Sequence, residues 1–289
     1  NSARWFEIKH AWYGGTAGVQ MAFDHIAMHP ESKVLVLAAD IARYGIGTAG
    51  EVTQGGGAVA MLMSQDPQIL ALDNQSAFHS ENIMDFWRPF YRRDAIVDGH
   101  YSTDIYIDFF NQTFKDYSAK YQRTLSDFSA VAFHLPFTKM GLKALRTVID
   151  DGAHSQKLLK EFDHSKKYNA LVGNLYTGSL YLSLLSLLAN SKTLQPGDRI
   201  GLFSYGSGAQ GEFYSGTIAP EIQPQSLAGQ VEQVIANRTR LSVTEYEAMY
   251  ANGLSNAGGD VTFDAADDDS RFVLLGRQAD QLVYRDQQA

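Results

Sequence analysis

An α/β architecture with a largely buried sheet is the fold class that the sequence predicts, and three observations predict it. Apolar runs of strand length alternate with segments whose apolar residues recur at helical spacing. The order helix, strand, glycine-rich turn, strand occurs near residue 17 and returns after residue 177, so element order implies two related halves. Hydrophobic residues make up 45% of the 289, enough to bury one large core or two modest ones.

Gly14-Gly15-Thr16 opens a helix over 17–29, where Val19, Ala22, Phe23 and Ile26 share a face, and Pro30 stops it. The continuous apolar run from Lys33 to Ala39 predicts a strand buried on both faces. A glycine-rich stretch, 45–57, then leads into a second strand, 58–63. An amphipathic helix follows near 102–121, then a short strand over 129–133 and a helix over 138–149 that begins after His134-Leu135-Pro136. In the second half, the spacing predicts a helix over 177–190, a turn at 195–198, and strands through 200–203 and 212–214 around the glycines of 205–211. Residues 231–236 fit either a helix or a strand, and 242–250 read as a helix capped by Ser242 or Thr244. Asp267-Asp268-Asp269 reads as a solvated turn, because a calcium loop's glycine and distal glutamate are absent.

A formal charge of −8 with no block of Lys or Arg gives no electrostatic footprint for nucleic acid or an anionic bilayer, so neither partner is expected. The longest apolar run, 180–189, is too short to span a membrane. The start lacks an initiator Met and a signal pattern, so it is read as a truncation, secretion is unsupported, and Asn-x-Ser/Thr at Asn74, Asn111 and Asn237 is read as chance. Zero cysteines exclude disulfides, zinc–thiolate sites and a cysteine nucleophile.

Several motifs mimic functional sites. Gly206-Ser207-Gly208-Ala209-Gln210-Gly211 matches a dinucleotide fingerprint, but β-like residues follow where that fingerprint needs a helix. It reads as a tight turn between strands whose glycines would also let a ligand approach the backbone. His25 and His29 have the spacing of a metal pair, yet Ile26 stands where a metalloprotease needs glutamate, so a helix face is the preferred reading and no metal site is expected. Gly14-Gly15-Thr16-Ala17-Gly18 imitates a nucleophile elbow without a preceding buried strand, and reads as a helix start. His134 ends an apolar strand, where α/β sheets bind ligands, although on residue type alone a lone histidine at such a place is more often structural than catalytic. Lys139, in the first turn of the next helix, opposes the helix dipole, which either an anionic ligand or solvent exposure accounts for.

Seven stretches, in order, resemble bacterial-type hydroxymethylglutaryl-CoA synthases: 6–9 (FEIK), 13–17 (YGGTA), 39–44 (ADIARY), 97–99 (VDG), 133–140 (FHLPFTKM), 173–179 (GNLYTGS) and 203–208 (FSYGSG). The resemblance implies a thiolase-like duplicated fold of layered helices and mixed sheets, five alternating layers in a homodimer, with the N-terminal part truncated. The two halves are expected to be 1–72 and 73–289. It further implies a cytoplasmic acyltransferase of the mevalonate route to isoprenoids, condensing acetyl-CoA with acetoacetyl-CoA and using no cofactor. In that family a cysteine thiolate takes the acetyl group, a glutamate upstream of it forms the enolate, and a histidine polarises the ketone.

By position, His134 matches that histidine, while Tyr44, Lys139, Asn174, Tyr176 and Ser207 match residues lining the acyl-CoA pocket. Where the family has its cysteine this chain has Trp12, and an indole can neither ionise nor carry an acetyl group. Two alternatives follow: a catalytically inactive acyl-CoA-binding homologue, or a related thiolase-fold ketoacyl synthase.

Overall fold

A computed structural model of the chain describes residues 3–92, 95–222, 227–252, 258–266 and 268–288. Asn1 and Ser2 of the start and Asp267 of the acidic triplet lie outside the described residues. The chain forms two compact units, Asn1–Arg238 and Thr239–Ala289. No helix among the described residues is long and apolar enough to cross a membrane.

The first unit begins with α1 (Gly14–Met28), β1 (Val34–Ala42), β2 (Gly55–Met63) and β3 (Leu70–Ser80). The two-residue strands β4 (Phe86–Trp87) and β5 (Ile96–Val97) precede the long α2 (Gly99–Tyr121), which Asp98 caps by accepting the Tyr101 N–H at 3.1 Å. Then come β6 (Ala130–Phe133), α3 (Thr138–Leu145), α4 (Ala153–Ser165), α5 (Lys167–Val172), α6 (Ser179–Asn190), β7 (Arg199–Gly206), β8 (Gln210–Ile218) and α7 (Ala228–Ala236). The central sheet runs β3-β8-β7-β6, with β6 and β7 parallel and the other pairs antiparallel.

Both faces of this sheet are covered, and the strand period assigns residues to each. Val131, Phe133, Phe203, Tyr205 and Phe213 meet the aromatic face of α2 (Tyr106, Phe109, Phe110, Tyr117) with Leu158 and Phe162 of α4. Ala130, Ala132, Ile200, Leu202 and Tyr214 pack on Val19 and Ala22 of α1 and Leu180, Leu187 and Leu188 of α6. Beyond α1 and α6 lies a second sheet, the antiparallel pair β1–β2, whose Val36, Val59, Met61 and Met63 join the same cluster. The order of layers is helix, sheet, helix, sheet.

Here one expectation fails. The strand read as buried on both faces is buried on one: Val36, Ala38 and Ala42 point inward, while Leu35, Leu37 and Ile41 are exposed. Among the described residues only one side of β1–β2 has helices against it, so an unbroken apolar run here does not mean two-sided burial. A second difference is at the helix read over 138–149, which stops at Leu145; Arg146, Thr147 and Val148 close with turn hydrogen bonds, and the Thr147 hydroxyl bonds back to the Ala144 carbonyl at 2.7 Å. The residues of 231–236 are helical, in α7. The turn between β7 and β8 occupies the glycine fingerprint, as read.

The second unit contains α8 (Val243–Ala251), β9 (Val261–Thr262), β10 (Phe272–Gln278) and β11 (Gln281–Asp286), the strands forming a sheet of order β11-β10-β9. Ser242 caps α8 through a capping box with Glu245.

Candidate active site

The site is built where the turn before α1 meets the carboxyl ends of β6 and β7. Residues 11–13 make a tight turn in which the Tyr13 N–H donates to the Ala11 carbonyl at 2.7 Å, and Trp12 sits at φ 60°. That region of backbone space is uncommon for a bulky residue, so surrounding packing must hold it. The packing is visible at Gly206: a Cβ there would lie 2.1 Å from the Ala11 carbonyl oxygen and 2.7 Å from the Tyr13 nitrogen. Only glycine lets the turn close on β7.

The Trp12 indole is 5% exposed and lies nearly parallel to the His134 imidazole, with ring centroids 5.5 Å apart and planes 21° apart. Phe86 at 4.7 Å, Tyr176 at 5.7 Å and Tyr205 at 6.4 Å complete an aromatic box around it. His134 follows β6 directly. Its N–H donates to the Phe203 carbonyl at 2.8 Å, continuing the parallel ladder, and its carbonyl accepts the Tyr106 hydroxyl at 2.7 Å. The backbone is thus pinned at both ends, while Nε2 has no hydrogen-bond partner among the described residues. Burial pushes the imidazole down to about 3, so it is neutral at ordinary pH.

Hydrogen bonds through Asn174, in the loop after α5, link the box to Tyr44 and to the Thr53 carbonyl just before β2. Asn174, 1% exposed, donates from Nδ2 to the Tyr44 hydroxyl at 3.0 Å and accepts the Tyr176 N–H at 2.9 Å and the Ser179 hydroxyl at 3.0 Å. The rings of Tyr44 and Tyr176 meet edge to face at 6.2 Å. Desolvation raises the phenols of Tyr44, Tyr176 and Tyr205 above their ordinary value, keeping them protonated donors. The Ser207 hydroxyl donates to Asp85 Oδ2 at 2.8 Å, and the same oxygen accepts from Tyr205 at 2.7 Å and Ser102 at 3.2 Å.

Of the residues singled out from sequence, Trp12, His134, Tyr176 and Tyr44 are therefore in one chain of ring contacts. Asn174 is hydrogen-bonded into it, and Ser207 is joined through Asp85 and Tyr205. Lys139 is exposed in the first turn of α3, next to Thr138 on the rim of a cavity of about 160 Å³. Thr53, Leu135, Phe137, Asn169 and Gly173 also line that cavity. His25 and His29 lie on an exposed helix end with ring centroids 4.7 Å apart. No group of three or more metal-ligating side chains occurs among the described residues.

Sequence reasoning missed two acids. Asp85 is fully buried, and Asp40 accepts the Thr177 hydroxyl and, at 3.2 Å, the Thr177 N–H. Asp40 stood inside a quoted motif, but Asp85, in the segment joining β3 to β4, carried no local signal.

The chain as a whole is similar to known proteins. A family model described as "Hydroxymethylglutaryl-coenzyme A synthase C terminal" matches residues 70–171 and 153–253. A hydroxymethylglutaryl-CoA synthase of Enterococcus faecalis is 48% identical over 254 residues, covering 87% of this chain and 66% of the relative. A polyketide-biosynthesis 3-hydroxy-3-methylglutaryl-ACP synthase of Bacillus subtilis is 34% identical, covering 86% and 64% respectively. The chain thus spans just under two thirds of the length of these relatives. A crystal structure of an HMG-CoA synthase complexed with CoA superposes with a TM-score of 0.92 at 41% identity, covering 98% of this chain and 74% of that one.

Proposed function

The chain belongs to the hydroxymethylglutaryl-CoA synthase family, and from that premise we propose that it binds acyl-CoA in a site descended from one that condenses acetyl-CoA with acetoacetyl-CoA. In this chain the acylation step is blocked by Trp12. The observation that carries the reading is the Trp12 indole stacked on a buried, neutral His134 whose Nε2 has no hydrogen-bond partner among the described residues. A neutral imidazole held this way can polarise a ketone through Nε2, which is the histidine's part in the condensation. The nucleophile's part has no side chain to perform it, because the indole N–H neither ionises nor forms a thioester.

The condensation consumes water and releases 3-hydroxy-3-methylglutaryl-CoA and free CoA. Tyr44, Asn174, Tyr176 and Ser207 line the acyl end of the pocket in this reading. Lys139, exposed and next in sequence to the cavity-lining Thr138, meets the anionic end of CoA from solvent in this reading. The ketoacyl synthase alternative has no observation in its favour. The partner we assign besides acyl-CoA is a second copy of the chain, supported by the exposed apolar face of β1–β2, and the compartment is the cytoplasm.

The test is acetyl transfer. With isotope-labelled acetyl-CoA the chain should bind the thioester yet retain no covalent label. Trp12→Cys should become labelled at residue 12. A label on the unaltered chain, or a Trp12→Cys variant that binds acetyl-CoA and stays unlabelled, would overturn the reading. The family's enolising glutamate is upstream of its nucleophile, so this experiment addresses acylation alone.

A further inference from the structure

Across the β7–β8 hairpin from Ser204 sits Glu212, an acid that the site described so far does not use. Its side chain is 3% exposed and makes no ion pair among the described residues. Instead its two oxygens collect donors from three places. Oε2 accepts the Tyr13 hydroxyl at 2.6 Å; Oε1 accepts Gln20 Nε2 at 2.8 Å and the Ser76 hydroxyl of β3. Tyr13, Thr16 and Gln20 follow i, i+3, i+7 spacing, so they form one polar stripe facing β7 and β8, and Thr16 donates to Ser204 at 2.8 Å between the two Glu212 bonds.

Tyr13 is also the residue that ends the tight turn carrying Trp12. Its bond to Glu212 is the only long-range side-chain hydrogen bond from residues 10–13 among the described residues; His10 bonds the adjacent Ala11 carbonyl. A turn with a bulky residue at φ 60° needs external restraint to persist. Gly206 supplies a steric floor. The Glu212 carboxyl, on the same face of the β7–β8 hairpin, supplies the tether.

We propose that Glu212 is the positioning residue of the site, acting through the Tyr13 hydroxyl to fix where residue 12 stands over the His134 ring. Burial pushes the Glu212 carboxyl above its ordinary value, and in either protonation state it retains an oxygen that accepts from Tyr13. Gln20 and Ser76 hold the carboxyl itself, so their role is one step further from the turn. The placement stands apart from the acyl-CoA reading; only its effect on acylation rests on that reading.

The chain has three tryptophans, so 5-fluorotryptophan labelling and fluorine NMR report residue 12 directly, with Trp12→Phe as the assignment. Glu212→Ala should shift and broaden the Trp12 resonance, and Glu212→Gln should restore it. Tyr13→Phe, which removes one hydroxyl from a folded chain, should reproduce the Glu212→Ala change, while Gln20→Met leaves the resonance in place. An unmoved Trp12 signal in Tyr13→Phe overturns the proposal, as does a Gln20→Met change of equal size; if Glu212→Ala does not fold, Tyr13→Phe decides. In a Trp12→Cys background, Tyr13→Phe should slow acetylation by at least about tenfold at unchanged acetyl-CoA affinity. Equal acetylation rates would count against the tether, whereas no acetylation in the parent Trp12→Cys variant would fault the functional reading and leave the fluorine result standing.

Discussion

His134 shows what burial alone does to a side chain. The folded state binds no proton at this ring until about pH 3, whereas the unfolded chain binds one below about 6.5. Between those values the unfolded state holds more protons, so His134 makes stability fall as the pH falls; from pH 7 to 5 the loss is about 2 kcal/mol. Glu212 acts in the opposite sense. Its raised carboxyl contributes stability that is present below its unfolded value of 4.5 and lost as pH rises through its folded one. The comparison is therefore between proteins: His134→Phe should lose less stability than the parent between pH 7 and 5, measured by urea unfolding, and equal losses would remove the desolvation account. At this scale much was legible. A histidine at a strand end before Leu-Pro was singled out, and a resemblance put it in one site with position 12; the two rings do lie together, but their stacking was not read from the sequence. The left-handed backbone of Trp12 and the burial of Asp85 and Glu212 were not legible, because each depends on partners far away in sequence.

Elements were legible where their periodicity was local and illegible where tertiary context decided. Helices α1, α2 and α6 and strands β6, β7 and β8 lie close to where spacing put them. β3 went unread because Asp73, Asn74, Gln75 and Ser76 interrupt its apolar pattern, and these polar residues fall where its register with β8 shifts between Leu72 and Ser76. β1 was read as a strand with the wrong surroundings, since a covering layer leaves no mark on the strand itself. The loop after α5 shows how elements set the site. Gly173 has φ +87°, and a Cβ there would lie 2.1 Å from the Gln54 carbonyl oxygen, at the entrance to β2. The next residue is Asn174, whose N–H donates to the Thr53 carbonyl at 3.0 Å. Gly173→Ala should thus cost about 2 kcal/mol or more and weaken CoA binding by moving Asn174 and Tyr176. Thermal unfolding with calorimetric CoA titration checks both, and an unchanged affinity would detach this loop from the pocket.

At the scale of the whole molecule, the outward face of β1–β2 is an exposed apolar sheet face. Leu35 pairs with Leu62 and Leu37 with Ala60, and Leu37 and Ile41 are 66% and 72% exposed. An apolar sheet face of this kind needs a cover. Light scattering with size exclusion should find a self-associated chain, and Leu37→Glu with Ile41→Lys should shift it toward monomer; a monodisperse monomer without the substitutions would refute pairing through this face. The net charge of −8 opposes association only weakly at physiological salt, where screening is short-ranged. The central sheet has a different consequence, one of timing. Leu70 of β3 pairs with Ile218 of β8, so during synthesis β3 leaves the ribosome long before its partner exists. Nascent chains must carry that unsatisfied edge until β8 emerges, which makes this sheet slow to close.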